Sequence, residues 1–143
     1  MTTTLDAATG DRPVLRIFID GGCALCSREA TFMERRDAAR NGVLEFVDLA
    51  DASFDPAPYG VTYEQFMKHI HGQLPDGSMV HGMEVFRRAY RELGMGWLLA
   101  PTGWPVLKPV FDVLYAGFAR IRMKLPGNKT RCEVAIGASR AAA

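Results

Sequence analysis

The stretch IFIDGGCALCSREATF, Ile17 to Phe32, carries Cys23 and Cys26 with two residues between them, and Asp20 three residues ahead of the first. Two thiols at that spacing have two chemistries open to them: disulfide exchange, or half of a zinc site. Exchange needs a thiolate, and a free cysteine ionises only near pH ~8.5. A cysteine at the start of a helix gains from the unpaired N–H groups and the helix dipole, both of which favour a negative sulfur. Cys26, three residues on, shares that helix face. The spacing is compatible with the roughly 4.4–6.8 Å between Cα atoms that a disulfide requires. Cys23 is then the attacking sulfur, Cys26 the one that resolves the mixed disulfide. Cys23 is also expected to be the more exposed, because helix starts meet solvent. Asp20 reads in two ways: a proton acceptor for Cys26, or a turn residue in Asp-Gly-Gly. Gly21 and Gly22 are expected to supply unusual backbone angles and room near the sulfurs.

The elements that must position these groups are legible around them. Val14 to Ile19 is a short apolar run closed by Asp-Gly-Gly, hence a strand and a turn. Ala24 to Arg40 reads as a helix, stopped at Asn41-Gly42. Val43 to Leu49 is a second strand, which makes a βαβ unit with parallel strands. A loop rich in turn residues follows, then Thr62 to Gln65, which resembles a capping box. A strand is expected over Met67 to Leu74, a turn at Pro75 to Ser78, a strand at Met79 to His81, and a helix over Met83 to Leu93. A last helix is expected over Val106 to Lys124, with Pro105 and Pro109 in its first turns. Its apolar stripe includes Val110, Val113, Leu114, Gly117, Phe118 and Ile121. Trp97 and Trp104 are expected in the core. The fold class is therefore α/β: a thioredoxin-like βαβ–ββα sandwich with an additional C-terminal helix. The domain is expected over residues 14–125, between a disordered tail (1–13) and a loosely ordered basic tail (126–143).

A chain of 143 residues that is 48% hydrophobic can bury one core without disulfide staples. Three cysteines do not make a secreted disulfide scaffold. The N-terminus has no basic stretch followed by an apolar one, and no stretch is apolar enough to span a bilayer. A cytoplasmic protein without a transmembrane segment is expected. The net charge of +1 gives no ground for a nucleic-acid partner. From Pro105 onward, seven Lys/Arg against Asp112 and Glu133 give +5, read as a solvated helix face and tail or as a docking patch for an anionic partner. No phosphate-loop or dinucleotide motif is present, and no cofactor is expected. A Cys-His pair for acyl transfer is disfavoured, since no oxyanion-hole signature accompanies it.

The segments DGGCALC, LPDGSMVHGMEVFRRAYRELG and LYAGFARIRMKL resemble the DCC family of thiol–disulfide oxidoreductases, with its Asp-x-x-Cys-x-x-Cys signature. Tyr115, Ala119 and Arg122 fall on matching positions of that family's late helix, while Ile121 stands where a polar residue is expected. The resemblance covers roughly Val14 to Leu125. It implies a thioredoxin-like fold and a redox role for Cys23 and Cys26, and it raises Asp20 toward a catalytic part. The partner expected for such a couple is a protein disulfide or dithiol or a low-molecular-weight thiol. The chain departs from thioredoxins at large in having no proline in VTYEQFMKHI, where they place a cis-proline beside the active site. Pro56 and Pro58 lie in the earlier loop.

Two alternatives stand beside this expectation. In one, the thiols bind zinc with help from His69, His71, His81 or Cys132. No second Cys-x-x-Cys or His-x(3–5)-His pair completes such a site, and His69 and His71 would face the same way on a strand. In the other, the domain is a non-enzymatic docking module that uses its basic last helix with Trp97 and Trp104.

Overall fold

The run Leu-Arg-Ile-Phe-Ile becomes β1 (Leu15–Ile19), one of the two inner strands of a four-stranded sheet. Its side chains alternate between two cores, as a pleated strand requires. Leu15 and Ile17 pack with Met33, Val85, Ala89 and Leu93 on one face. Phe18 packs with Leu49, Phe66 and Met67 on the other. Each such large side chain, fully buried, stabilises the fold by about 1.5–3 kcal/mol. A computed structural model describes residues 13–40 and 42–124 of the chain. Nearly all of the two expected tails, together with Asn41 and Cys132, lies outside the described residues.

After β1 come α1 (Ala24–Ala38) and β2 (Leu44–Asp48). β2 runs parallel to β1, and Arg16 pairs across it with Glu45 at 2.7 Å. The end of α1 is tied to β2 by the buried carboxylate of Asp37, which accepts from the N–H groups of Val43 and Leu44 at 3.2 and 2.9 Å. The capping box forms as expected: Gln65 N–H donates to Thr62 Oγ1, and Thr62 N–H to Gln65 Oε1. It starts α2 (Tyr63–Lys68), and here expectation and structure part. The strand expected from Met67 begins only at β3 (His71–Gln73). The cap commits the segment to a helix, and that helix buries Phe66 and Met67 together against Phe18.

β3 turns into β4 (Met79–His81) through Pro75 to Ser78, with Gly77 in the left-handed region at φ +87°. Ser78 N–H closes that turn on Asp76 Oδ1 at 2.9 Å. Both pairings of β3, to β1 and to β4, are antiparallel, and the sheet order is β2-β1-β3-β4. α3 (Met83–Glu92) follows, then the short α4 (Gly96–Leu99), a 3-10 turn, and α5 (Lys108–Lys124). This is the expected βαβ–ββα arrangement of a thioredoxin-like fold with an added C-terminal helix.

α5 presents a different face from the one its apolar pattern suggested. Val110, Val113, Leu114, Phe118 and Ile121 are exposed, Val113 by 71%, whereas Ala119 is buried. Trp97 and Trp104, expected in the core, are 74% and 59% exposed. Polar anchors set the helix rotation instead. The buried Arg87 of α3 donates to Thr102 O at 2.6 Å and to Asp112 Oδ1 at 3.1 Å. Tyr115 and Arg122, on the Ala119 side of α5, reach the backbone around β3.

Candidate active site

The turn carrying the two cysteines is held from β2. Asp48 Oδ1, at the end of that strand, accepts from Gly21 N–H at 2.8 Å and from Ala50 N–H at 2.8 Å. A Cβ at Gly21 would overlap the Asp48 carboxylate, so Gly21 is required for close approach. Neither Gly21 nor Gly22 has a positive φ, so the expected unusual backbone angles are not what this turn uses. Asp20 is 5% exposed, and its Oδ1 accepts from Gly22 N–H at 3.1 Å. It thus makes the turn contact that one reading assigned to it. Asp20 also lines the cavity beside Cys26, where the other reading needs it.

Cys23 is the N-cap of α1, with extended backbone and its N–H on Asp20 O at 3.0 Å. It sits at the helix start as expected, but it is only 1% exposed, while Cys26 is half-buried. The expected order of exposure is therefore reversed. The side chain of the cap residue turns inward, and the next helical turn opens onto a cavity.

That cavity, about 250 Å³, lies between the end of β1, α1 and α5. Its wall is largely aromatic and aliphatic, including Phe18, Phe66, Phe86 and Phe118, with Cys26 and Arg122 in it. Arg122 Nη1 donates to Cys26 Sγ at 2.7 Å, and Nη2 donates to Met67 O at 3.0 Å. Burial pushes the Cys26 thiol up to about 12. The Arg122 guanidinium works against that rise, and a hydrogen bond with Cys23 adds to it. Cys26 thus lies in a largely apolar cavity wall with the Arg122 guanidinium on its sulfur, one helical turn from Cys23.

The segment where thioredoxins carry a cis-proline has a different occupant. No peptide bond among the described residues is cis. Ile70 N–H there donates to the Tyr115 hydroxyl at 3.0 Å. Burial raises the pKa of Tyr115, which keeps the phenol protonated.

The histidines do not share a strand face. His69 caps the end of α2, and His71 opens β3. The His71 ring is buried, 5.0 Å from the Phe66 ring, with Nδ1 on His69 O at 2.8 Å. Burial lowers its pKa. Among the described residues, no three His, Cys, Asp or Glu side chains converge as a metal site would require. Cys132 lies outside the described residues.

Sequence reasoning singled out both cysteines and Asp20, and the turn brings them together. It missed Asp48, and it gave Arg122 and Tyr115 no role. Their signal was the spacing 115, 119, 122, which marks one face of a helix.

The DCC1-like thiol-disulfide oxidoreductase family model matches residues 17–128. An uncharacterized chloroplastic protein of Arabidopsis thaliana is 33% identical over 115 residues, which cover 80% of this chain and 53% of that protein. The uncharacterized protein YuxK of Bacillus subtilis is 26% identical over 118 residues, covering 81% of this chain and 83% of YuxK. The chain thus spans about half the length of the Arabidopsis relative. No solved structure matches.

Proposed function

Since the chain belongs to the DCC1-like thiol-disulfide oxidoreductase family, we propose that it exchanges disulfides through a Cys23–Cys26 dithiol/disulfide couple. The observation that carries this is the contact of Arg122 Nη1 with Cys26 Sγ at 2.7 Å, at the wall of a cavity. A thiol that merely filled space would have no need of a half-buried guanidinium on its sulfur. As a thiolate, Cys26 keeps a counter-ion, which offsets part of the cost of burying its charge.

Of the two sulfurs, the one that lines the cavity meets the substrate first, and that is Cys26. Cys23, at the start of α1, is favoured as an anion by the helix N-terminus. It is the internal partner: it attacks the mixed disulfide on Cys26, or leaves as a thiolate when the reaction runs the other way. This inverts the roles that spacing alone suggested. Asp20, buried in the same cavity wall, is the proton acceptor of the proposal. No described helix is long and apolar enough to cross a membrane. The cytoplasm, which keeps thiols reduced, is the compartment proposed.

Single-cysteine variants test the assignment. Cys23→Ser should trap a mixed disulfide on Cys26, and Cys26→Ser should react at least tenfold more slowly. Neither should turn over. Full turnover by Cys23→Ser would contradict the couple, and trapping on Cys23 in Cys26→Ser would restore the opposite order of attack.

The exposure of Trp97, Trp104 and the α5 stripe favours a second reading, a docking module. It requires a partner whose capture is unchanged in the Cys23→Ser, Cys26→Ser double variant.

A further inference from the structure

An extended polypeptide is commonly held through main-chain hydrogen bonds to exposed backbone groups of its receptor. Beside Cys26 the backbone that would offer them is the link from α2 to β3, and its groups already have partners. His69 N–H donates to Gln65 O at 3.2 Å, and His69 O faces His71 Nδ1 at 2.8 Å. Ile70 N–H donates to the Tyr115 hydroxyl at 3.0 Å, and Ile70 O accepts from Gly82 N–H at 2.9 Å. Met67 O is taken by Arg122 at 3.0 Å. Through Tyr115 and Arg122, α5 therefore takes two of the backbone groups that an extended chain would need beside this sulfur.

What stays open beside the sulfur is the cavity of about 250 Å³. That is below the ~300–1,000 Å³ of sites for drug-sized ligands, so the space suits a small organic group such as a ring or a branched alkyl chain. Glu29, at its wall, is already bonded to the Tyr90 hydroxyl at 2.6 Å. Leu25 and Phe118 line it and are each about half exposed, which makes an apolar rim.

We propose that this cavity is the substrate site and that it takes the apolar organic group of a low-molecular-weight disulfide or thiol, with the sulfur of that group set against Cys26. The proposal rests on the Cys23–Cys26 exchange reading above. With a disulfide RS–SR, the Cys26 thiolate attacks one sulfur, the S–S bond breaks and RS⁻ leaves. The Cys23 thiolate then attacks Cys26 Sγ and expels the second RS⁻. The protein gives up two electrons and the substrate gains them, and the two cysteine protons leave on two RSH.

The test is a single turnover of the pre-reduced full chain with diisobutyl disulfide and with bis(2-hydroxyethyl) disulfide, each rate divided by that of the same disulfide with free dithiothreitol to remove differences in leaving-group reactivity. Oxidised insulin serves as the polypeptide arm. The expected result is a preference of at least tenfold for the isobutyl compound over the hydroxyethyl one, with insulin slower than the isobutyl compound. That preference should fall toward one in Phe118→Ser and in Ala119→Phe, which fills the cavity. Phe118 is half exposed, so its variant carries the test if Ala119→Phe does not fold. Equal rates with the two small disulfides, a preference unchanged in Phe118→Ser, or insulin reacting fastest would overturn the proposal. Alkylation and mass analysis after the reaction separates the two levels. Cys23 and Cys26 paired without any preference contradicts the cavity's role alone, and Cys23 and Cys26 never paired contradicts the exchange reading itself.

Discussion

At Cys26 two effects oppose each other on one atom. Burial disfavours the thiolate, and the Arg122 guanidinium at 2.7 Å favours it, with burial the larger. With the pKa near 12, the thiolate fraction should rise tenfold per pH unit throughout the neutral and mildly alkaline range. Burial, the leading cause of that rise, persists in Cys23→Ser, so alkylation of Cys26 in that variant should keep climbing from pH 7 to 9, with no plateau near the ~8.5 of a free cysteine. Arg122→Gln should slow that reaction at least tenfold at fixed pH, equivalent to about 1.4 kcal/mol, and Arg122→Lys should recover part of the loss. A plateau near 8.5 would mean that burial does not dominate at this sulfur, and an unaltered rate in Arg122→Gln would remove the guanidinium from the chemistry. His71 adds a pH dependence of its own. Its pKa is lowered by burial, so below the ordinary histidine value the unfolded chain binds the extra proton and the folded one does not. That contribution to stability is full above the unfolded value and is lost as pH falls through it. Urea midpoints should drop from pH 7 to pH 5, and by less in His71→Gln. The cysteine pair was legible because spacing within one helical turn is local information. The Arg122 contact joins residues 96 apart, and no local pattern encodes it.

Among the elements, α5 does most to define the site, and its orientation was the part least legible in the sequence. A stripe of Val110, Val113, Leu114, Phe118 and Ile121 reads as a core face by hydrophobic period. The helix instead turns Tyr115, Ala119 and Arg122 inward, because Ile70 N–H, Met67 O and Cys26 Sγ find donors and acceptors there. Two stability measurements follow from this rotation. Tyr115→Phe leaves Ile70 N–H without its partner and should cost about 1–3 kcal/mol in urea unfolding. Val113→Ser, on the exposed face, should stay within about 0.5 kcal/mol of the parent. The opposite ranking would mean that the apolar stripe is the packed face after all. Elements with strong local signals came through with small boundary differences: β1 closed by Asp-Gly-Gly, the capping box at Thr62 and Gln65, and the Asp76-Gly77 turn. The strand expected from Met67 failed because a helix cap outweighed a mixed stretch, Met67 to Ile70, that suits either state.

For the molecule as a whole, the βαβ half supplies the sulfurs at the start of α1, and the ββα half with α5 closes over them. Arg87 binds these parts together, since its buried guanidinium spans α3, the 3-10 turn and α5. The topology was legible because each half is a run of short, well-punctuated elements. What the assembled halves create, a cavity with one sulfur and one cation in its wall, appears only when residues far apart in the chain are packed. The central claim is that Cys23 and Cys26 form one redox couple, and a titration of the full-length, metal-analysed protein in glutathione buffers tests it most directly. Free thiols are trapped by alkylation at each potential and the peptides are weighed. The expected result is a single two-electron transition confined to the peptides of Cys23 and Cys26. Stoichiometric zinc protecting both thiols, or two sulfurs that never pair at any potential, would contradict it.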